Sequence, residues 1–401
     1  MLGTSLSLFS GAGGLDLGLE HAGISTLACV EMDAGARSTL ALNRPSWQLY
    51  EPSDVNLAAE ELRPRTLGLR ARQLDLISGG PPCQPFSAAA QWNSTSRRGM
   101  DDPRADALHG MLRLVAEFRP RAVLLENVAG FFNGPVSALP YLQAGFDEIN
   151  IRYGTAYRLD VAVLDAADYG VPQHRRRAIA VARRDGKRFY FPEPTHDAKP
   201  VTAWDAMGDL PPETWTPPAG AWTELLPSIP EGGNYLHMTA KGAGPELFGW
   251  RTRYWSFLLK LARARPSWTL PASPGPNTGP FHWDNRPLTN RERMRLQSFP
   301  DSWRFSGSAR AQTRLIGNAT PPPLAEALGK QLVIQLGLGA PEARRRLLRA
   351  PSVLVRNHRD DCPEPQEPMP LSPRFARMVG TKNAHPGTGR GPAPRERAES
   401  G

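Results

Sequence analysis

Cys83 stands in the run Gly79-Gly80-Pro81-Pro82-Cys83-Gln84-Pro85-Phe86-Ser87. The stretch before it, Leu74-Asp75-Leu76-Ile77-Ser78, reads as a strand, and two glycines and two stiffening prolines carry the thiol past its end. A side chain so placed projects at the carboxyl edge of a sheet, where open α/β folds bind ligands. A thiol there becomes a nucleophile once its thiolate is favoured. Glu126 follows a second apolar run, Ala122-Val123-Leu124-Leu125, in the same way. Its carboxylate would reach the same edge, either capping a helix or serving as an acid or hydrogen-bond partner beside the nucleophile. The other cysteines, Cys29 and Cys362, form no C-x-x-C pair and so suggest neither zinc nor disulfides. Cys29 lies in an apolar run, as an inert buried thiol does.

A second group of residues points to a nucleotide. Ser10-Gly11-Ala12-Gly13-Gly14 follows a strand-like run and precedes a helical one. Glycines there let the backbone approach a ligand, and the helix N-terminus offers free amides. The run is not G-x-G-x-x-G, because Asp16 takes the last glycine position, and this weakens a nicotinamide reading. Glu31 ends the second apolar run at the distance from the glycines where dinucleotide folds place an acid for ribose hydroxyls. Asp54 could face an adenine amino group at the end of a third strand, or cap a helix.

The elements that must position these groups alternate along the first third of the chain. Strand-like runs at 6–9, 26–30, 74–78 and 122–125 are separated by helical ones, the clearest at 108–118. That order predicts an α/β fold with a mostly parallel, Rossmann-like sheet and helices on both faces. It would occupy residues 1–184, completed by 311–340. Apolar runs at 161–164 and 178–182 flank a loop, 168–177, that holds Gln173-His174-Arg175-Arg176-Arg177. Residues 185–310, rich in Pro, Gly, Trp and Arg, read as a smaller, irregular domain. Residues 341–401 read as a Pro/Arg-rich, largely disordered tail. The chain has 401 residues, 40% of them hydrophobic, with no apolar run long enough for a bilayer and no leader-like start, so a cytoplasmic setting is expected. Its net charge of +9, with Arg well ahead of Lys, suits a polyanionic partner, although part of the excess lies in the tail.

Together these blocks resemble the cytosine-5 DNA methyltransferase family of bacterial modification enzymes. Leu8-Phe9-Ser10-Gly11-Ala12-Gly13-Gly14-Leu15 resembles its cofactor loop, and Pro81-Pro82-Cys83-Gln84 its nucleophile motif. Glu126-Asn127-Val128 resembles the base-binding motif, and Gln173-His174-Arg175-Arg176-Arg177 the Q-x-R-x-R motif. Arg286-Pro287-Leu288-Thr289, Arg291-Glu292 and Leu296-Gln297-Ser298-Phe299-Pro300 resemble the block that supports the recognition domain. Gly317-Asn318-Ala319 resembles the last block, beside the cofactor. The blocks run in the family's order from residue 6 to about 330. Thr320 departs from the usual valine, and Thr313-Arg314-Leu315-Ile316 also differs from the common pattern.

The resemblance implies transfer of a methyl group from S-adenosylmethionine to carbon 5 of cytosine within a specific DNA sequence. Cys83 would add to carbon 6 of a flipped-out base. Glu126 would stabilise N3, Arg177 would hold O2 or a phosphate, and Arg175 would position the cysteine loop. Phe9 would stack on adenine, Gly11 and Gly13 would admit the methionine part, and Glu31 would hold the ribose. Asp54 would take the adenine edge and Asn318 the methionine end. Gly14, Val55 and Met32 complete the cofactor side, Met32 standing where the family often has an aromatic. No metal is implied. The loop 87–102, with Ser87, Arg97 and Arg98, would close over the DNA. Gln173, Arg251 and Arg253 are further candidate contacts, the latter two near Tyr254, Trp255 and Trp268, and the turn-rich loop 271–280 could enter the major groove. The partners implied are double-stranded DNA and a cognate restriction endonuclease, with the protein acting as a monomer in a bacterial cytoplasm. A tRNA cytosine-5 methyltransferase and a catalytically inactive DNA-binding relative stand as alternatives.

Overall fold

The computed structural model describes residues 1–82, 106–133, 137–215, 217–218, 220–248 and 255–380. They fall into two units. The larger comprises Met1–Pro212, Ala264–Ser273 and Thr289–Cys362, and the smaller Glu213–Arg263, Pro274–Leu288 and the chain from Pro363 onward.

The larger unit is built on seven strands: β1 (Gly3–Leu8), β2 (Ile24–Val30), β3 (Gln48–Leu49), β4 (Leu76–Gly79), β5 (Ala122–Asn127), β6 (Leu159–Asp165) and β7 (Arg176–Arg183). Their order in the sheet is β3-β2-β1-β4-β5-β7-β6. The first five run parallel, and β7 lies antiparallel between β5 and β6. The chain leaves β1 for β2 and β3, then returns to β4 on the other side of β1. The order therefore reverses between β1 and β4, which opens a crevice beyond their carboxyl ends. Residues 9–14 and 80–82, the two loops that leave those ends, are the two that carry the glycine run and the approach to Cys83.

Side chains alternate across the sheet with a period of two. In β5, Val123 and Leu125 enter one core and Ala122 and Leu124 the other. Helices α3 (Val55–Glu61), α4 (Asp106–Phe118) and α6 (Leu139–Tyr153) cover the first face through Val55, Met111, Phe118 and Phe146. Helices α1 (Gly14–His21) and α10 (Pro322–Gln335) cover the second through Leu15, Leu19, Leu328 and Leu332. A third core joins α2 (Ala34–Asn43) to α8 (Asn290–Leu296) and α9 (Ala309–Asn318) through Leu40, Met294, Phe299 and Leu315, while the short α5 (Ala129–Phe132) adds Phe131 to the first core and α7 (Ala203–Met207) packs on α8. The doubly covered α/β sheet matches the sequence-based expectation. The chain returns late to this unit and supplies α10.

The smaller unit is irregular, with 3-10 turns and isolated bridges such as Phe257 to Thr278 and Lys260 to Phe281. Its core gathers Leu226, Tyr235, Phe248, Phe257 and Phe281. Lys260 is buried within it, donating to the Leu226 carbonyl at 3.0 Å and to Asn285 Oδ1 at 2.9 Å. Burial pulls its ammonium down to about 8.

Two boundaries differ from expectation. Residues 185–212, 264–273 and 289–310, placed by their texture in the irregular domain, belong to the larger unit. Over 341–380, within the stretch expected to be a largely disordered tail, the chain forms a helix and makes defined contacts. Helix α11 (Pro341–Arg349) is followed by chain pinned to the larger unit. There Leu354 enters the third core, His358 Nδ1 lies 3.0 Å from Asp205, and Trp204 donates to Asp361 at 3.0 Å. Further on, within the smaller unit, Met369 donates to the Pro227 carbonyl at 2.9 Å, and Phe375 is buried among Trp222 and Phe248. A Pro/Arg-rich composition hides these anchors because each is one residue, and neighbours in sequence gain nothing from it. Phe375→Ala should destabilise the smaller unit by about 3–5 kcal/mol, the usual cost of emptying a buried aromatic site. Urea denaturation followed by tryptophan fluorescence would check this, and an unchanged midpoint would show that the anchor is not part of the core.

Candidate active site

A cavity of about 1040 Å³ lies in the larger unit beyond the carboxyl ends of β1, β4 and β5. Its walls include Phe9, Gly11, Gly14, Glu31, Met32, Asp54, Val55, Pro81, Pro82, Glu126, Arg175, Arg177 and Asn318. Nearly every candidate among the described residues therefore opens on one space. Cys83 lies outside the described residues, as do Ser87, Arg97, Arg98, Arg251, Arg253 and Tyr254. Pro81 and Pro82, which lead into Cys83, are on the cavity wall.

The glycine-loop side of the cavity is set by backbone strain and one carboxylate. Phe9 has φ of 56°, a left-handed conformation that side chains rarely adopt and that clusters at ligand sites. Gly13, with φ of 79°, is the left-handed residue that turns the chain into α1. It does not line the cavity and acts by shaping the loop. Glu31 holds that loop in place, since its Oε2 accepts from the Gly11 amide at 2.7 Å and its Oε1 from the Asp33 amide at 2.7 Å. Burial raises the Glu31 carboxyl, and these amides partly offset it. Each oxygen keeps a further lone pair for a ligand hydroxyl. Asp54 caps α3, accepting from Asn56 and Leu57 through Oδ1 while lining the cavity. It does not end a strand as expected, because β3 stops at Leu49 and a turn intervenes. Met32 is exposed on the rim.

The side at the carboxyl ends of β4 and β5 is held by buried polar groups. Glu126, almost fully buried at the end of β5, faces Arg177, whose Nε lies 2.9 Å from Glu126 Oε1. Arg175 is 1% exposed and donates through an Nη to the Gly317 carbonyl at 2.8 Å. Asn127, which the sequence shows only as a neighbour of Glu126, donates from Nδ2 to the Pro81 carbonyl at 2.9 Å and accepts from the Val128 amide at 2.9 Å. It thereby fastens the chain two residues before Cys83. Cys29 is fully buried in β2, and burial pushes its thiol far above the ordinary range, as suits an inert core residue.

The family model of the C-5 cytosine-specific DNA methylases matches residues 3–334. The chain belongs to that family. Type II methyltransferase M.SacI of Streptomyces achromogenes is 37% identical over 372 residues, covering 83% of this chain and 93% of that protein. Type II methyltransferase M.NgoMIV of Neisseria gonorrhoeae is 34% identical over 339 residues, covering 82% and 97%. Among solved structures, a chain described as a DNA modification methyltransferase encoded within an Escherichia coli prophage superposes with a TM-score of 0.58 at 26% identity, covering 83% of this chain and 99% of that one. The Entamoeba histolytica methyltransferase EhMeth, at 16% identity and a TM-score of 0.57, shares the fold, covering 84% and 99%.

The Q-x-R-x-R block of this methylase requires one correction. Gln173 was expected at the DNA, but it is 0% exposed and its amide is fully engaged with Leu270, Leu296 and Gln297. His174, next to it, is the half-exposed member of the block, its ring 5.8 Å from that of Trp268. The loop 271–280 also divides. Pro271 and Ala272 line the cavity, whereas the chain from Pro274 belongs to the smaller unit. No local signal in the sequence marks that division.

Asp16, the residue that breaks the glycine pattern, is wholly buried in the first turn of α1. Burial drives its carboxyl from 3.8 up to about 7, with only a partial offset from the nearby Ser7 hydroxyl. The folded state thus binds this proton more tightly than the unfolded chain does. Stability from this group is fully present below about pH 4 and falls as pH rises toward 7, where the carboxylate ionises in the core. Asp16→Asn, which cannot ionise, should gain on wild type across that window by on the order of 4 kcal/mol and run parallel to it above. Unfolding midpoints from pH 4 to 8 would show this, and a gap independent of pH would mean that Asp16 does not titrate there.

Proposed function

We propose that the protein methylates carbon 5 of cytosine within a specific double-stranded DNA sequence, through a covalent bond between Cys83 and carbon 6 of a flipped-out base. The observation that carries this reading is that Glu126, Arg177 and the Pro81-Pro82 approach to Cys83 open on the same cavity as the glycine loop and Glu31. A base and an adenosyl cofactor can therefore meet in one space.

The residues present fit S-adenosylmethionine. The strained Phe9, the loop bound to Glu31 and the acids Glu31 and Asp54 form a cradle with an aromatic face, hydroxyl acceptors and room for an adenosyl group. Phe9 would lie against the adenine, Glu31 would accept from the ribose, Asp54 would meet the adenine edge and Asn318 the methionine end. When bound, that cofactor supplies an electrophilic methyl group.

The rest of the chemistry falls to the chain. Carbon 5 of cytosine is a weak nucleophile in the intact ring. Addition of the Cys83 thiolate to carbon 6 moves electron density toward carbon 5, N3 and O2. Glu126 stabilises N3, and Arg177 sits beside it to hold O2, so fixed charge is placed where charge develops. After carbon 5 has gained its methyl, loss of its proton and expulsion of Cys83 restore the ring. The base must leave the stack to reach the cavity, at a cost of a few kcal/mol. Two relatives are named type II methyltransferases, which supports a place beside a restriction endonuclease that cuts the same sequence.

DNA containing 5-fluorocytosine tests the covalent step, because fluorine cannot leave as a proton does and the enzyme stays trapped. Wild type should form a denaturant-resistant adduct in the presence of S-adenosylmethionine, and Cys83→Ala should form none. Equal behaviour of the two would overturn the mechanism, and trapping on tRNA in place of DNA would reassign the substrate. In the same assay Asn127→Ala, which releases the Pro81 carbonyl, should slow trapping by roughly 10–100-fold, the scale of a small displacement of a reacting group. An unaltered rate would mean that the cysteine loop holds its place without this bond.

A further inference from the structure

Two fully buried glutamines sit behind the cavity, and neither touches it. Gln297, at the end of α8, donates from Nε2 to the carbonyls of Ile316 at 2.6 Å and Ala319 at 3.1 Å. Its Oε1 accepts from Gln173 Nε2 at 2.8 Å. Gln173 Oε1 in turn accepts from the Leu270 amide at 2.9 Å. The pair thus ties the backbone at the end of α9 to the segment around Leu270. These two stretches also touch directly, since a Cβ added at Gly317 would lie 2.6 Å from Ala272 Cα. Arg175 donates to the carbonyl of the same Gly317.

We propose that Gln173 and Gln297 are positioning residues that join two walls of the cavity into one rigid piece. One wall is the turn at Gly317 and Asn318, and the other is the segment from Thr269 to Ala272, which is tied to the Q-x-R-x-R block by Thr269 Oγ1 donating to the His174 carbonyl at 2.7 Å. Buried amides left without partners are costly, so the relay has one low-energy arrangement and transmits displacement. A shift of the turn moves Leu270, and with it the wall that a base would face. The inference rests on the methyltransferase reading, and deepens it by naming the residues that keep the cofactor and base sides in register.

The full-length chain serves for the test, with Gln297→Met, Gln173→Met and the double variant. Methionine keeps the volume and removes the amide, and replacing both partners is gentler on stability than replacing one. Each single variant should raise KM for S-adenosylmethionine and KM for DNA together, by roughly 5–50-fold, at a temperature where it remains folded. The double variant should be no worse than the poorer single, because the residues act as one relay. If the singles lower the melting temperature while both KM values and kcat stay at wild type, the pair is merely structural and the proposal fails. It fails equally if the two effects add in full. Should Gln297→Met not fold, Gln173→Met, which leaves the bonds to Ile316 and Ala319 intact, gives the same comparison of KM values. A wild type that transfers no methyl to DNA removes the methyltransferase reading and this one with it, whereas an active wild type with insensitive variants removes this one alone.

Discussion

The reversal of strand order between β1 and β4 is the constraint on which the site depends. Parallel neighbours place their carboxyl ends side by side, and when the chain departs from them in opposite directions no helix can cover the gap. Backbone that would elsewhere be capped is left facing a crevice. The two loops that leave those ends hold the glycine run and the prolines before Cys83. β5, the next strand, carries Glu126 one residue before its end. Three consecutive sheet positions thus deliver the glycine loop, the prolines that lead into Cys83, and Glu126 to one cavity without any of them being near the others in sequence.

Sheet geometry brings these groups together, and buried hydrogen bonds then fix them. Glu31 is bound to the amides of Gly11 and Asp33, Asn127 to the Pro81 carbonyl, and Arg175 to the Gly317 carbonyl. Each is a polar group withdrawn from water, which is tolerable only when its partner is in place. The same penalty that makes them expensive makes them specific, because a displaced loop would strand both partners. The ion pair of Glu126 and Arg177 adds charge to this scheme at a point almost closed to solvent.

Much of this was legible in the sequence, for a physical reason. Strands buried on both faces appear as short apolar runs, and the loops at their carboxyl ends must follow them directly. The runs at 6–9, 74–78 and 122–125 therefore locate Phe9, the approach to Cys83 and Glu126. What was not legible depends on long-range partners. Gln173 looks like a surface residue beside three arginines, and nothing nearby in sequence announces that Gln297, 124 residues away, waits for its amide. Asp54 shows the same limit more mildly, as its chain position is compatible with both a cap and a ligand contact, and in the structure it caps α3 while facing the cavity.

The C-terminal chain carries that argument furthest. Its composition has the marks of disorder, since few apolar residues are available to offset the entropy of ordering it. Residues 341–380 are nonetheless held, by a few anchors placed far apart. Leu354 and Phe375 each enter a different hydrophobic core, and between them the carboxylate of Asp205 accepts from the Arg359 amide and faces His358. Proline-rich stretches suit such a strap, because proline has already lost much of the freedom that folding would remove, so each anchor orders the chain beside it at lower entropic cost. The family match ends at residue 334, so this ordering is a property of the chain's own extension. Where disorder is read from composition, the deciding quantity is the spacing of the few large apolar residues against the cores they can reach, and that spacing becomes visible only once the cores exist.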